Sequence, residues 1–184
     1  LSSLLHDAPA RHEALAKEAG RSDLIVRKGL IYTYPDRSLF EAEALAWRLR
    51  RDNGVVYREL SSDELHRLEP ALSKAYSFGV LVEQGGHCID PGGYVGSLVD
   101  HAVALGAVRI NGKAIGFDIS AGRLKGVKTD AGSIACDRAV IAAGIHSKTL
   151  AAEAGDKVSL ESERGYHVVI PHDVVTGAMP IMPG

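Results

Sequence analysis

Apolar and polar positions recur along this chain in two rhythms, one helical and one extended. Residues 9–20 carry the helical rhythm, with Pro9 near the start and Gly20 just past the end. Leu24–Tyr34, rich in Ile, Val and Tyr, predicts a strand bent at Gly29 that runs into the Pro35–Asp36 turn. The spacing of Leu39, Ala42, Leu45, Ala46 and Leu49 predicts a helix over 38–53 with one apolar stripe. Ser38 and Glu41 have the spacing of a capping box. Arg48, Arg50 and Arg51 read as a solvated helix end that suits the macrodipole, and Gly54 closes the helix. A strand over 55–60 comes next, then a short helix opened by Ser61 and Glu64 and ended at Glu69–Pro70. Tyr76, Phe78, Val80 and Val82 alternate with their neighbours, which predicts a half-buried strand over 76–83.

From residue 87 the pattern changes. Asp90 and Pro91 predict an N-cap and a first helical position, and Val95, Leu98, Val99 and Ala102 line the helix that Gly106 closes. Three β-prone runs, 108–119, 123–129 and 133–142, are separated by Ser120–Gly122 and Asp130–Gly132 and predict a meander. Within the last run, Ala139–Ala143 has no polar alternation, which predicts a strand buried on both faces as in a parallel sheet. It stops at Gly144, and Ser147 is placed to cap a helix ending near Gly155. A buried strand, a glycine and a helix bring backbone close to a ligand at the strand's carboxyl end. Val158–Ile170 then predicts a strand carrying Glu161, Glu163, Arg164, Tyr166 and His167.

Together these elements predict an α+β chain. Residues 20–86 and 157–184 form a discontinuous, mostly antiparallel sheet with helices. Residues 87–156 form part of a doubly wound α/β layer, and 1–19 supply an N-terminal helix.

Composition narrows the function classes. Among 184 residues, 21 Lys and Arg face 23 Asp and Glu, so no basic surplus exists to neutralise a nucleic-acid backbone. No apolar run approaches the ~20 residues of a bilayer-spanning helix. Cys88 and Cys136 are too few for a disulfide framework and read as small buried hydrophobes, with a reducing cytoplasm as the expected compartment. His87 with Cys88, and His167 with His172, lack a second cluster at ligand spacing, so no metal site is expected. Leu1 in place of Met, and the apolar, uncapped Met179–Gly184, read as cut ends of a longer protein.

Four stretches, in order, resemble the FAD-dependent amino-acid oxidase and dehydrogenase family. They are GHCIDPGGYVGSLVDHAVALG (86–106), LKGVKTDAGSIACDRAVIAAG (124–144), IHSKTLAAEAG (145–155) and LESERGYHVVI (160–170). LIVRKGLIYTYPD (24–36) and DELHRLEPALS (63–73) add to the likeness, whose nearest members are D-amino-acid dehydrogenases, with glycine and sarcosine oxidases as relatives. The resemblance implies a Rossmann-like FAD domain, here represented by residues 87–156, interleaved with a substrate domain. It implies hydride transfer from an amino acid's α-carbon to the flavin, giving an imino acid that water converts to keto acid and ammonia. A quinone or oxygen would accept the electrons, in the cytoplasm or at the inner face of a membrane. The family's opening G-x-G-x-x-G turn does not occur in these 184 residues, so the chain by itself is expected to bind FAD poorly and to turn over nothing.

The resemblance also assigns candidate residues. Ala142, Ala143 and Gly144 match a strand end whose backbone passes against the FAD, where glycine permits close approach. An ordinary strand-to-helix glycine would read the same way. Ile115 matches a position facing the adenine side, and a plain buried strand residue is the equal alternative. Arg164, Tyr166 and His167 match the strand beside the flavin, where Arg or a tyrosine hydroxyl could hold a substrate carboxylate. Pairing of Arg164 with Glu161 or Glu163, and packing of Tyr166 in the sheet, is the competing reading. His146 stands where many relatives carry Trp. No catalytic residue is assigned. A rival of another class is a free-standing, non-catalytic ligand-binding or assembly module.

Overall fold

The computed structural model describes residues 7–166, 168, 177 and 179–184. The chain forms two compact units, Leu1–Ala107 with Ile170–Gly184, and Val108–Val169.

The first unit is built on strands β2 (Leu30–Tyr34), β3 (Arg58–Leu60), β4 (Phe78–Val82) and β9 (Ile181–Pro183), in the order β3-β4-β2-β9. β4 runs antiparallel to both β2 and β3, whereas β9 runs parallel to β2, pairing Ile31 with Ile181 and Thr33 with Pro183. Strands β1 (Ile25–Val26) and β5 (His87–Cys88) form a separate antiparallel pair. The left-handed Gly29 (φ +93°) separates β1 from β2, where the sequence placed the bend.

Successive residues of β2 and β4 point to opposite faces, so the sheet carries a core on each side. Tyr34, Phe78 and Val80 join Phe40 and Trp47 on one side, while Ile31 and Leu81 join Leu60 and Leu65 on the other. β4 is therefore buried on both faces rather than half-buried. Helices cover both of its sides, and Leu81 is only 6% exposed.

The expected helix over 38–53 is two helices, α2 (Arg37–Ala42) and α3 (Ala44–Asp52), joined at Glu43. Its N-cap is Asp36, whose carboxylate accepts from the Ser38 and Leu39 amides. Glu41 pairs with Arg37 at 2.9 Å instead of closing a box with Ser38. The buried face is Phe40 and Trp47, not the aliphatic stripe, for Leu39, Leu45 and Leu49 are 45%, 61% and 52% exposed. Aromatic rings bury more area per residue and decide which face turns inward. The basic helix end is not simply solvated either. The Arg50 guanidinium lies 4.5 Å from the Trp47 ring centre, and Arg51 donates to the Tyr57 hydroxyl.

The second expected box does form. Ser61 Oγ accepts from the Glu64 amide while the Glu64 carboxylate accepts from the Ser61 amide at 2.9 Å, opening α4 (Ser62–Leu68). Helix α1 (Ala8–Glu18) packs against α5 (Pro91–Ala104), which Asp90 caps through the Gly93 amide. Tyr94 makes that contact, edge-on to His12 and in one cluster with Ala16 and Leu24, which leaves Val95 61% exposed. With α5 docked on α1, the first unit runs to Ala107 and takes in the residues from Ile170 onward.

The second unit is a meander of β6 (Ala114–Ser120), β7 (Arg123–Thr129) and β8 (Gly132–Ala135), all antiparallel, with helix α6 (Ser147–Glu153) packed on β6. Ala139–Ala143 departs from expectation. It has no strand partner among the described residues, and Val140 is 90% exposed. A strand exists only when its backbone groups pair, and the meander ends its pairing at β8. Residues 158–166 likewise carry no strand, and Val168 is 87% exposed, while 167, 169 and 170 lie outside the described residues.

Candidate functional site

The second unit carries most of the residues singled out for ligand contact. Ala143 leads into a single 3-10 turn, Gly144–His146, that passes directly into α6. Gly144 has φ +55°, and a Cβ placed there would meet no atom within 4 Å. Its glycine is thus explained by the left-handed backbone, which disfavours any side chain, and the space beside it is open. Ser147 does not cap α6 from outside. It is the helix's first residue, and its hydroxyl turns back to accept the Ala143 amide at 3.0 Å, fixing the turn before the helix.

Ile115 lies on β6 with 54% exposure, so it is not a buried strand residue. Its neighbour Gly116 faces Glu153, the last residue of α6, where an added Cβ would stand 3.7 Å from Oε2. Gly144 thus stands just before α6, and Ile115 lies on the strand against which that helix packs.

Two open grooves run beside α6. One of about 550 Å³ has Lys148 and Ala152 as one wall and the segment from Gly155 to Glu161 as the other. The second, of about 530 Å³, continues past His146 and Thr149 to Ser162 and shares Lys148, Leu160 and Glu161 with the first. Their lining mixes both charges, with Lys148 and Lys157 against Asp156 and Glu161. Neither groove takes in Ile115, Ala142–Gly144, Arg164 or Tyr166. The sequence did not single out Lys148, because one lysine on a short helix carries no spacing signal.

Arg164 is exposed, makes no ion pair among the described residues, and so does not adopt the pairing with Glu161 or Glu163. Tyr166 is 86% exposed rather than packed in a sheet. His167 lies outside the described residues. Cys88 and Cys136 are free and only half-buried, and no cluster of His, Cys, Asp and Glu among the described residues could hold a metal ion. No helix among them is long and apolar enough to cross a membrane.

The described geometry is that of a known fold. Over 78% of the chain it superposes on glycine oxidase from Bacillus cereus with a TM-score of 0.67 at 23% identity, covering 40% of that protein. Over 83% it superposes on L-amino acid deaminase from Proteus myxofaciens with a TM-score of 0.71 at 16% identity, covering 35% of it. In sequence it is 50% identical over 170 residues to a D-amino-acid oxidase from Bradyrhizobium diazoefficiens, matching 92% of this chain and 40% of that one. A D-amino acid dehydrogenase from Rhizobium rhizogenes is 29% identical over 150 residues, or 78% of this chain and 35% of the relative. The chain thus spans well under half the length of the curated relatives it matches. The profile of one family, FAD dependent oxidoreductase, runs along residues 1–183, and with nearly every residue inside that match the chain belongs to this family.

Proposed function

We propose that the complete protein is an FAD-dependent enzyme that oxidises an amino acid, a D-amino acid first of all. The half-identity to a D-amino-acid oxidase across 92% of the chain carries this reading. Bound FAD would accept hydride from the substrate's α-carbon, and the resulting imino acid would hydrolyse to keto acid and ammonia.

The residues present fit one wall of a flavin site. Ala139–Ala142 has no strand partner among the described residues, and Gly144 offers backbone with no side chain and no neighbouring atom in the way. In this reading Ala142, Ala143 and Gly144 would present main chain to the nucleotide, and Ile115 would border its adenine side. The phosphate-gripping G-x-G-x-x-G loop is not among these 184 residues, so the grip must come from elsewhere in the complete protein. Arg164, exposed and without an ion pair among the described residues, would engage a substrate carboxylate, and Tyr166 and His167 are the other candidates in that stretch of sequence. Oxygen or a quinone would take the electrons.

A second reading, oxidation of glycine or an N-methylated amine, draws on a 33% identity over 132 residues to 4-methylaminobutanoate oxidase from Paenarthrobacter nicotinovorans. Anaerobic mixing of the complete, FAD-loaded protein with D- and L-amino acids, glycine and sarcosine separates the two. Loss of oxidised-flavin absorbance with D-amino acids is expected. Bleaching by sarcosine alone supports the second reading, and bleaching by L-amino acids alone, or by none, overturns the first.

A further inference from the structure

Glu69 is the buried carboxylate that the flavin reading leaves unused. It is 1% exposed, at the C-terminal end of α4, where its amide donates to Leu65 and Pro70 stops the helix. Its Oε1 accepts the Met179 amide at 2.8 Å, and a Cβ added at Gly177 would stand 3.5 Å from Oε2. The Met179 side chain packs against the cluster of Ile31, Leu60, Leu65 and Leu81. One residue is therefore gripped twice, by a carboxylate at its backbone and by a core at its side chain.

β9 is three residues long, all exposed, with Ile181 37% and Met182 47% accessible. Register in a sheet is normally fixed by burying one face, and a strand with neither face buried is prone to slip. Pro183 also has no amide to donate. The pairing is nonetheless specific at both ends, with the Ile31 amide on Pro180 and the Gly184 amide on Thr33. Gly184 seats against the Tyr34 ring, where any Cβ would overlap it, so a one-residue slip would drive Pro183 into that ring.

We infer that Glu69 is the positioning residue that sets the register of β9 on β2. The inference stands independently of the flavin reading.

Amide hydrogen exchange on the 184-residue chain tests it. Glu69→Ala is expected to quicken exchange at Met179 and Gly184 by about tenfold or more, while Tyr32 and Val80 in the central ladder keep their protection. Glu69→Gln, which retains an acceptor, is expected to restore most of the protection at Met179. Met179→Pro, which removes the donor and leaves Glu69 in place, is expected to loosen Gly184 in the same way. Unchanged exchange at Gly184 in Met179→Pro, or at Met179 in Glu69→Ala, overturns the proposal. So does equal loss across the central ladder in Glu69→Ala and Glu69→Gln, which would make Glu69 a general core residue.

Discussion

Tyr34 is fully buried with a hydroxyl that both gives and takes. It donates to Glu43 Oε2 at 2.8 Å and accepts from the Trp47 indole at 2.9 Å. Burial first, and then the bond to Glu43, push its pKa up to about 12. The folded state therefore holds this proton more tightly than the unfolded chain, whose tyrosines ionise near pH ~10. Tyr34 contributes stability that is fully present below pH ~10 and is lost as pH rises through about 12. Tyr34→Phe is expected to lower stability at neutral pH by about 1–3 kcal/mol, because the Trp47 donor is left buried without its partner. The same variant should show a shallower fall in stability across that alkaline window, read by urea midpoints at successive pH values. Gly144 makes a different case, since its surroundings are open and only its φ of +55° restricts it. Gly144→Ala should cost the 184-residue chain about 1 kcal/mol by thermal unfolding, yet weaken FAD retention in the complete protein, where the Cβ would stand between backbone and nucleotide.

At the scale of elements, two serines with the same sequence signature have different fates. Ser61 caps α4 in a closed box, whereas Asp36 has taken the cap of α2 from Ser38. Ser61→Ala should cost about 1 kcal/mol, and Ser38→Ala distinctly less than Asp36→Ala, both measured by chemical denaturation. The Ser61 and Asp90 caps, the Gly29 bend and the meander of β6–β8 were legible in the sequence, because each rests on contacts within a few residues. The face that α2 and α3 bury was not. Helical spacing marks Leu39, Leu45 and Leu49 as well as it marks Phe40 and Trp47, and only the aromatic surface of β2 and β4 decides between them. Among the candidate site residues, the left-handed turn at Gly144 is explained by its position between an apolar run and a helix. The grooves beside α6 and the Glu69 clamp are not, since Lys148 lies far in sequence from Glu161, and Glu69 farther still from Met179.

For the whole molecule, the unpaired apolar segment and the missing phosphate loop point the same way. A sequence as apolar as Ala139–Ala143 stands with Val140 90% exposed in a chain that covers 40% of its D-amino-acid oxidase relative. The two observations are explained together if the rest of the protein, with its flavin, covers that segment. The order of the four family-like stretches was enough to place the chain in its family, because that order belongs to the whole fold and not to one motif. The docking of α5 on α1 was not legible, since it depends on Tyr94 and His12, 82 residues apart.

Hydrogen exchange in the complete protein, compared with and without FAD, reads whether residues 139–144 lie against the cofactor. Adding FAD is expected to slow exchange at the amides of Ala142 and Gly144 while leaving Tyr32 and Val80 in the β2–β4 ladder unchanged. Exchange at residues 139–144 that is indifferent to FAD, in a protein that demonstrably holds it, would mean that the flavin binds away from this segment.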